Sequence, residues 1–106
     1  MAVSNAAWDG SASRWPDAES YAKSCLINLN KGPTANWTKD NCKLPIREPN
    51  GAINANALGP AAAALNGGRG GVDAPVPAKK AAAKKLMSAY REAKMEPPDD
   101  LKKLAS

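Results

Sequence analysis

The chain is poor in large aliphatic side chains, and this limits every fold open to it. Of 106 residues, 14 are Leu, Ile or Val, Phe is absent, and 22 are alanine. So low a share lies beneath the level, roughly 20%, at which disorder competes seriously with folding. The length suits one small domain with one small core. Three Trp and two Tyr are available to anchor it. The expectation is a lightly packed, mostly α domain (with a small α+β form as the alternative) over residues 8–95. Residues 1–7 are expected to be a disordered N-terminus, and residues 96–106 a short C-terminal helical turn or tail.

Several classes of function drop out. No run of 18 apolar residues occurs, so no membrane span and no membrane partner is expected. The opening MAVSNAAWDG has neither a basic n-region nor an apolar h-region, so no secretory signal is expected. His is absent, which removes the commonest general base and the commonest metal ligand. Cys25 and Cys42 alone cannot build a four-thiolate zinc site. Without a leader the expected compartment is reducing. Two buried thiols are then the plainer reading, although a bridge between them would be worth about 3 kcal/mol in the chain-entropy model. Neither a cofactor nor an enzyme is implied.

Pro16, followed by Asp17 and Glu19, has the form of a helix start, and the pattern predicts a helix over 16–29 with Tyr21, Cys25 and Leu29 on one stripe. Residues 30–43 are rich in turn formers, with Gly32-Pro33 as a breaker, and Trp37 is expected to plug this loop onto the core. Asn50-Gly51, between Ile46 and Ile53, is a tight-turn signal. Pro45 and Pro49 cannot donate ladder hydrogen bonds, so the hairpin is expected to be short and irregular. Asn56 is placed as the cap of a helix over 57–65, with Leu58, Ala61, Ala62 and Leu65 on one face and Pro60 in the first turn. Residues 66–77 read as a Gly/Pro-rich linker. Residues 78–95 are dense in strong helix formers. Ala82, Leu86, Ala89 and Ala93 share one face there, with Tyr90 at its border. Lys80, Lys84, Arg91 and Lys94 share the other, with Met87 among them. Pro97-Pro98 stops this helix, and Asp99-Asp100 opens a short turn of helix ending near Leu104. The sum is about three helices and one short irregular β-hairpin.

Four constellations bear on chemistry. Gly67 to Gly71, GGRGG, has backbone able to cradle a phosphate, and Arg69 would add donors. No GKS or GKT follows, however, and RNA-binding RGG tracts come in several copies, so a linker is the plainer reading. The row Lys80, Lys84, Arg91 and Lys94, in a chain of net charge +5, can neutralise phosphates in a salt-sensitive way. Its plainer reading is a solvated face whose Lys stems cover apolar surface. The segment WDGSASRW offers Ser11 and Ser13 without a base to activate them. It reads as a structural loop in which Asp9 pairs with Arg14. Arg47-Glu48 precedes a tight turn without a second titrating partner in view, and reads as turn scaffold.

The blocks WDGSASR (8–14), SCLI (24–27), KLPIREPNG (43–51), NANAL (54–58) and GGRGGVDAP (67–75), followed by a Lys/Ala-rich helix containing Tyr90, carry a resemblance. The chain resembles a small uncharacterised domain of tailed-phage and prophage structural clusters, one often attached to prohead proteases or capsid components. The resemblance spans about residues 8–94 and supplies no catalytic residue. It implies a bacteriophage structural protein located in the virion and assembled in the host cytoplasm. The function expected from it is a capsid-binding cement or accessory module whose partner is a capsid or other virion protein. Trp8, Trp15 and Trp37 are the candidate anchors, since Trp is enriched at hot spots, with core packing expected for at least two of them. The alternative is a small, basic, non-specific nucleic-acid-binding phage protein, using Arg69, Lys80, Lys84, Arg91 and Lys94.

Overall fold

The computed structural model describes residues 3–67, 72 and 74–105. It is mostly helical, a small α+β fold. The first helix, α1 (Ala18–Ser24), begins close to the expected start. Asp17 is its N-cap, and the Asp17 carboxylate accepts from the Ser20 amide at 2.8 Å. That hydrogen bond holds the Asp17 carboxyl below its ordinary value.

The helix does not run to residue 29. It gives way to strand β2 (Cys25–Asn28), which pairs antiparallel with β3 (Cys42–Pro45), Ile27 opposite Lys43 and Asn28 opposite Cys42. Leu26 and Ile27 supply the reason. They are adjacent, and both are buried. A strand sends successive side chains to opposite faces, so two covered faces take both residues.

A tight turn forms at the expected place, but not as the type I′ turn that Asn-Gly favours, for of the two residues only Gly51 takes a positive φ. Gly51 N donates to Glu48 O at 2.8 Å, Glu48 N donates to Ala52 O at 2.7 Å, and Arg47 bridges Ile53. Gly51 takes a φ of 94°, which its lack of a Cβ permits. The strand that follows, β4 (Ile53–Asn54), runs parallel to β1 (Val3–Ser4), with Val3 opposite Ile53. The hairpin is therefore reduced to one bridge, and the longer antiparallel pair is β2–β3.

The strand β1 also corrects the expected disorder of residues 1–7, as far as the described residues reach. Asn54 Nδ2 donates to Ala6 O at 3.1 Å, and Asn56 Nδ2 donates to Asn5 O and Ala6 O at 3.1 and 2.9 Å. Two side-chain amides clamp this segment. Asn56 is thus a clamp and not a cap. The cap of α2 (Ala55–Leu65) is Asn54, whose Oδ1 accepts from Asn56 N at 2.8 Å. Pro60 accordingly lies past the first turn, on the exposed side.

The long helix is α3 (Val76–Glu92), and α4 (Asp99–Ala105) follows it. The C-terminal segment is no loose tail. Leu101 is fully buried, and α4 packs on α3. The core thus draws on Leu101, with Leu104 and Ala105 packed against it, beyond the expected limit of residue 95.

Ile53, Leu58, Leu86 and Leu101 form the centre of the main core, joined by Ala57, Ala61 and Ala62 of α2 and Ala82, Ala83 and Ala89 of α3. The alanine richness has its use here: where two helices face each other with methyl groups, little bulk is needed to fill the space. A second cluster holds Trp15, Tyr21 and Cys42. The Trp15 and Tyr21 ring centroids lie 4.9 Å apart, tilted by 56°, an arrangement aromatic pairs favour.

Candidate functional site

The candidate anchors come first. Trp15 is buried in the second cluster, and its Nε1 donates to Ser24 Oγ at 2.9 Å. It presents no surface to a partner. Trp8 is half-buried against both clusters. The Arg14 guanidinium carbon lies 5.9 Å from the Trp8 ring and 5.6 Å from the Trp15 ring. Arg14 also donates through Nη1 to the Asp9 carbonyl, and its Nη2 lies 2.8 Å from Glu48 Oε1. The expected Asp9–Arg14 pairing is therefore a contact with the Asp9 backbone. The Asp9 carboxylate instead accepts from Ser11 N and Ser11 Oγ, and these bonds lower its pKa.

Trp37 does not plug its loop onto either core cluster. It is half-buried, and its Nε1 donates to Gly32 O at 3.0 Å. The loop is held by Asn30, whose Oδ1 accepts from Thr38 N at 2.9 Å and whose Nδ2 donates to Thr38 O at 3.0 Å. One side-chain amide acts here as a strand partner would. Lys39 ties the loop to the first segment through bonds to Ala12 O and Trp15 O.

The basic residues are arranged differently. Arg69 lies outside the described residues. Helix α3 carries Lys79, Lys80, Lys84, Lys85 and Arg91 against one carboxylate, Glu92. Ala82, Ala83, Leu86, Ala89 and Tyr90 occupy its buried side. Lys80, Lys84 and Arg91 emerge together on the exposed side. Among the described residues, their side chains have no ion pair and no hydrogen-bond partner. Two details depart from the expected row. Lys94 is exposed but lies beyond the helix, at a left-handed φ of 59°. Met87 is half-buried and packs on the core. At about 1.5 Å rise per residue, Lys80 to Arg91 covers on the order of 16 Å.

Beside this row lies a cleft of about 420 Å³, lined by Lys23, Ser24 and Cys25 at the end of α1, by Ile46 and Arg47, and by Lys85 and Ser88 of α3. Sequence reasoning missed it. Its cations come from three separate segments with no common spacing, so only the fold unites them. Arg47 is held in place by donating to Gly51 O at 3.1 Å, with Glu92 3.7 Å from its Nη2.

Cys25 and Cys42 are free thiols. Burial pushes the Cys25 thiol up to about 12, and the Tyr21 phenol likewise to about 12. Cys25 is therefore not a thiolate nucleophile near neutrality. The ordinary values are 9.0 and 10.0. As pH rises past 9, the unfolded chain releases these protons before the folded one, and stability falls. The denaturant midpoint is expected to decline between pH 9 and 12, and to decline less in Cys25→Ser. A midpoint constant through pH 11 in the wild type would contradict the burial of both groups.

No group of three or more His, Cys, Asp or Glu is placed to hold a metal among the described residues, and no helix there is long and apolar enough to cross a membrane. Comparison with protein-family models, with curated proteins and with solved structures finds no match.

Proposed function

We propose that this protein is a binding module that holds a polyanion, the phosphate backbone of nucleic acid, against the exposed side of α3 without selecting a base sequence. The observation that carries this reading is the row Lys80, Lys84 and Arg91, exposed and without partners among the described residues. Cations that are not spent within the fold can release counterions from a phosphate chain, which is the main source of non-specific affinity. Among the described residues there is no exposed aromatic side chain near the row on which to stack bases, so sequence readout has no support. The setting we propose for this activity, the assembly of a phage particle, rests on the sequence resemblance alone.

The test is the variant carrying Lys80→Glu, Lys84→Glu, Arg91→Glu and Lys94→Glu. All four residues are exposed, so helicity and thermal midpoint are expected to stay close to wild type. Affinity for a random duplex at low salt is expected to fall at least about tenfold. Unchanged affinity would overturn the reading.

A second reading, the capsid cement or accessory module, draws on Trp37. This half-exposed ring borders a shallow hollow of about 330 Å³ lined by Asp17, Ala18, Glu19, Thr34 and Ala35, a surface suited to a protein partner. Against it, the large hydrophobic residues that are clearly exposed among the described residues number two, Val76 and Met95. Stoichiometric presence in purified particles, with no duplex binding, would favour it.

A further inference from the structure

The cleft beside α3 differs in kind from the open basic row. It is concave, and three cations from different segments, Lys23, Arg47 and Lys85, line it, with no carboxylate in its lining among the described residues. Glu92 touches Arg47 only at 3.7 Å, so the positive charge is incompletely balanced. Two hydroxyls join them. Ser24 is buried, and its oxygen accepts from Trp15 Nε1. Among the described residues, the Ser24 hydroxyl proton has no acceptor. Ser88 donates to Lys84 O at 3.4 Å, a long bond that is easily exchanged. Arg47 is the fixed member, braced by the Gly51 carbonyl, and its planar fork suits a tetrahedral oxyanion. Lys23 and Lys85 are exposed point charges in the lining.

We propose that this cleft is a discrete seat for one phosphomonoester group, with Arg47 as the braced donor and Lys23 and Lys85 as the accompanying charges. A phosphomonoester carries up to two negative charges and three terminal oxygens. That matches three cations and a spare hydroxyl better than a carboxylate does. Two sources share this chemistry: the 5′-terminal phosphate of a nucleic acid and a small free phosphate ester. The seat is separate from the α3 row, although the nucleic-acid source rests on the reading proposed above.

The probe is inorganic phosphate, titrated at constant ionic strength into the ¹⁵N-labelled full chain, with chloride as the control. Phosphate is expected to shift the amides of Ser24, Cys25, Arg47 and Lys85 in a saturable way, with half-saturation near about 1 mM. Lys23→Ala with Lys85→Ala is expected to remove the saturable shift while leaving the thermal midpoint unchanged. The four-fold Glu variant of the α3 row is expected to retain it. Failure here thus stays distinct from failure of the duplex-binding reading. Shifts that chloride reproduces, that do not saturate, or that fall on Lys80 and Arg91 instead would overturn the proposal. A 5′-phosphorylated oligonucleotide that binds several-fold tighter than its 5′-hydroxyl form, with the gain lost in the double Ala variant, identifies the nucleic-acid source. Equal binding of the two, with displacement of phosphate by a nucleoside monophosphate, identifies the small-molecule source.

Discussion

Leu86→Ala is expected to destabilise the protein by about 2–5 kcal/mol. Leu86 is fully buried on α3, and its neighbours on the same buried side are Ala82, Ala83 and Ala89 together with Tyr90, whose ring is itself held in the core. Methyl groups on a rigid helix cannot reorient to fill the space a lost isobutyl group leaves, so the cavity persists. With so few large aliphatic residues in the chain, each one carries an unusual share of the apolar burial. A loss of about 3 kcal/mol corresponds to roughly 12–24 °C in thermal midpoint for a domain of this size. Thermal and denaturant unfolding both measure it. Lys84→Ala, on the opposite side of the same helix, is expected to stay within about 0.5 kcal/mol. A cost below about 1 kcal/mol for Leu86→Ala would mean the core is not packed as described.

Asn54→Ala is the second large effect expected, about 2–4 kcal/mol from the loss of a helix cap and the stranding of buried polar groups. Asn54 is fully buried, yet polar. Its Oδ1 caps α2, its Nδ2 donates to Ala6 O and reaches Glu48 Oε2 at 3.4 Å, and its backbone lies in β4 opposite Ser4. One residue therefore joins the N-terminal strand, the Asn50-Gly51 turn and α2. Asn54→Asp separates the contributions. It keeps the capping oxygen but replaces the donor with a carboxylate beside Glu48, and it is expected to be no more stable than the Ala variant. If Asp restored most of the stability, the cap would be the whole effect and the clamp on Ala6 would be immaterial.

The sequence was legible where local signals and burial agreed. The long amphipathic helix, the Asp99-Asp100 helix start, the Asn50-Gly51 turn and the mostly helical class all follow from spacing and propensity. It misled where non-local pairing decided the outcome. Nothing before residue 8 signals that Val3 will lie beside Ile53, because that contact exists only once the turn has brought β4 round. Cys25–Asn28 carries a helix-compatible stripe, and only its partner Cys42–Pro45 makes it a strand. Asn56 reads as a cap from its local sequence, but the helix starts at Ala55 and Asn54 caps it, while both side-chain amides hold the N-terminal segment. Within the candidate site, the row Lys80, Lys84 and Arg91 could be read from helical spacing alone. Lys94 was misplaced because the helix stops at Glu92, and the cleft of Lys23, Arg47 and Lys85 has no linear signature at all.

The proposed hold on a phosphate backbone depends on Lys80, Lys84 and Arg91, which have no partner among the described residues. Fluorescence anisotropy of the wild-type protein with a random duplex, over a salt series, addresses it most directly. With about three phosphates neutralised, affinity is expected to fall about 40-fold between 50 and 200 mM salt. Absence of binding at low salt, or binding indifferent to salt, would contradict the claim and leave a protein partner as the reading to pursue.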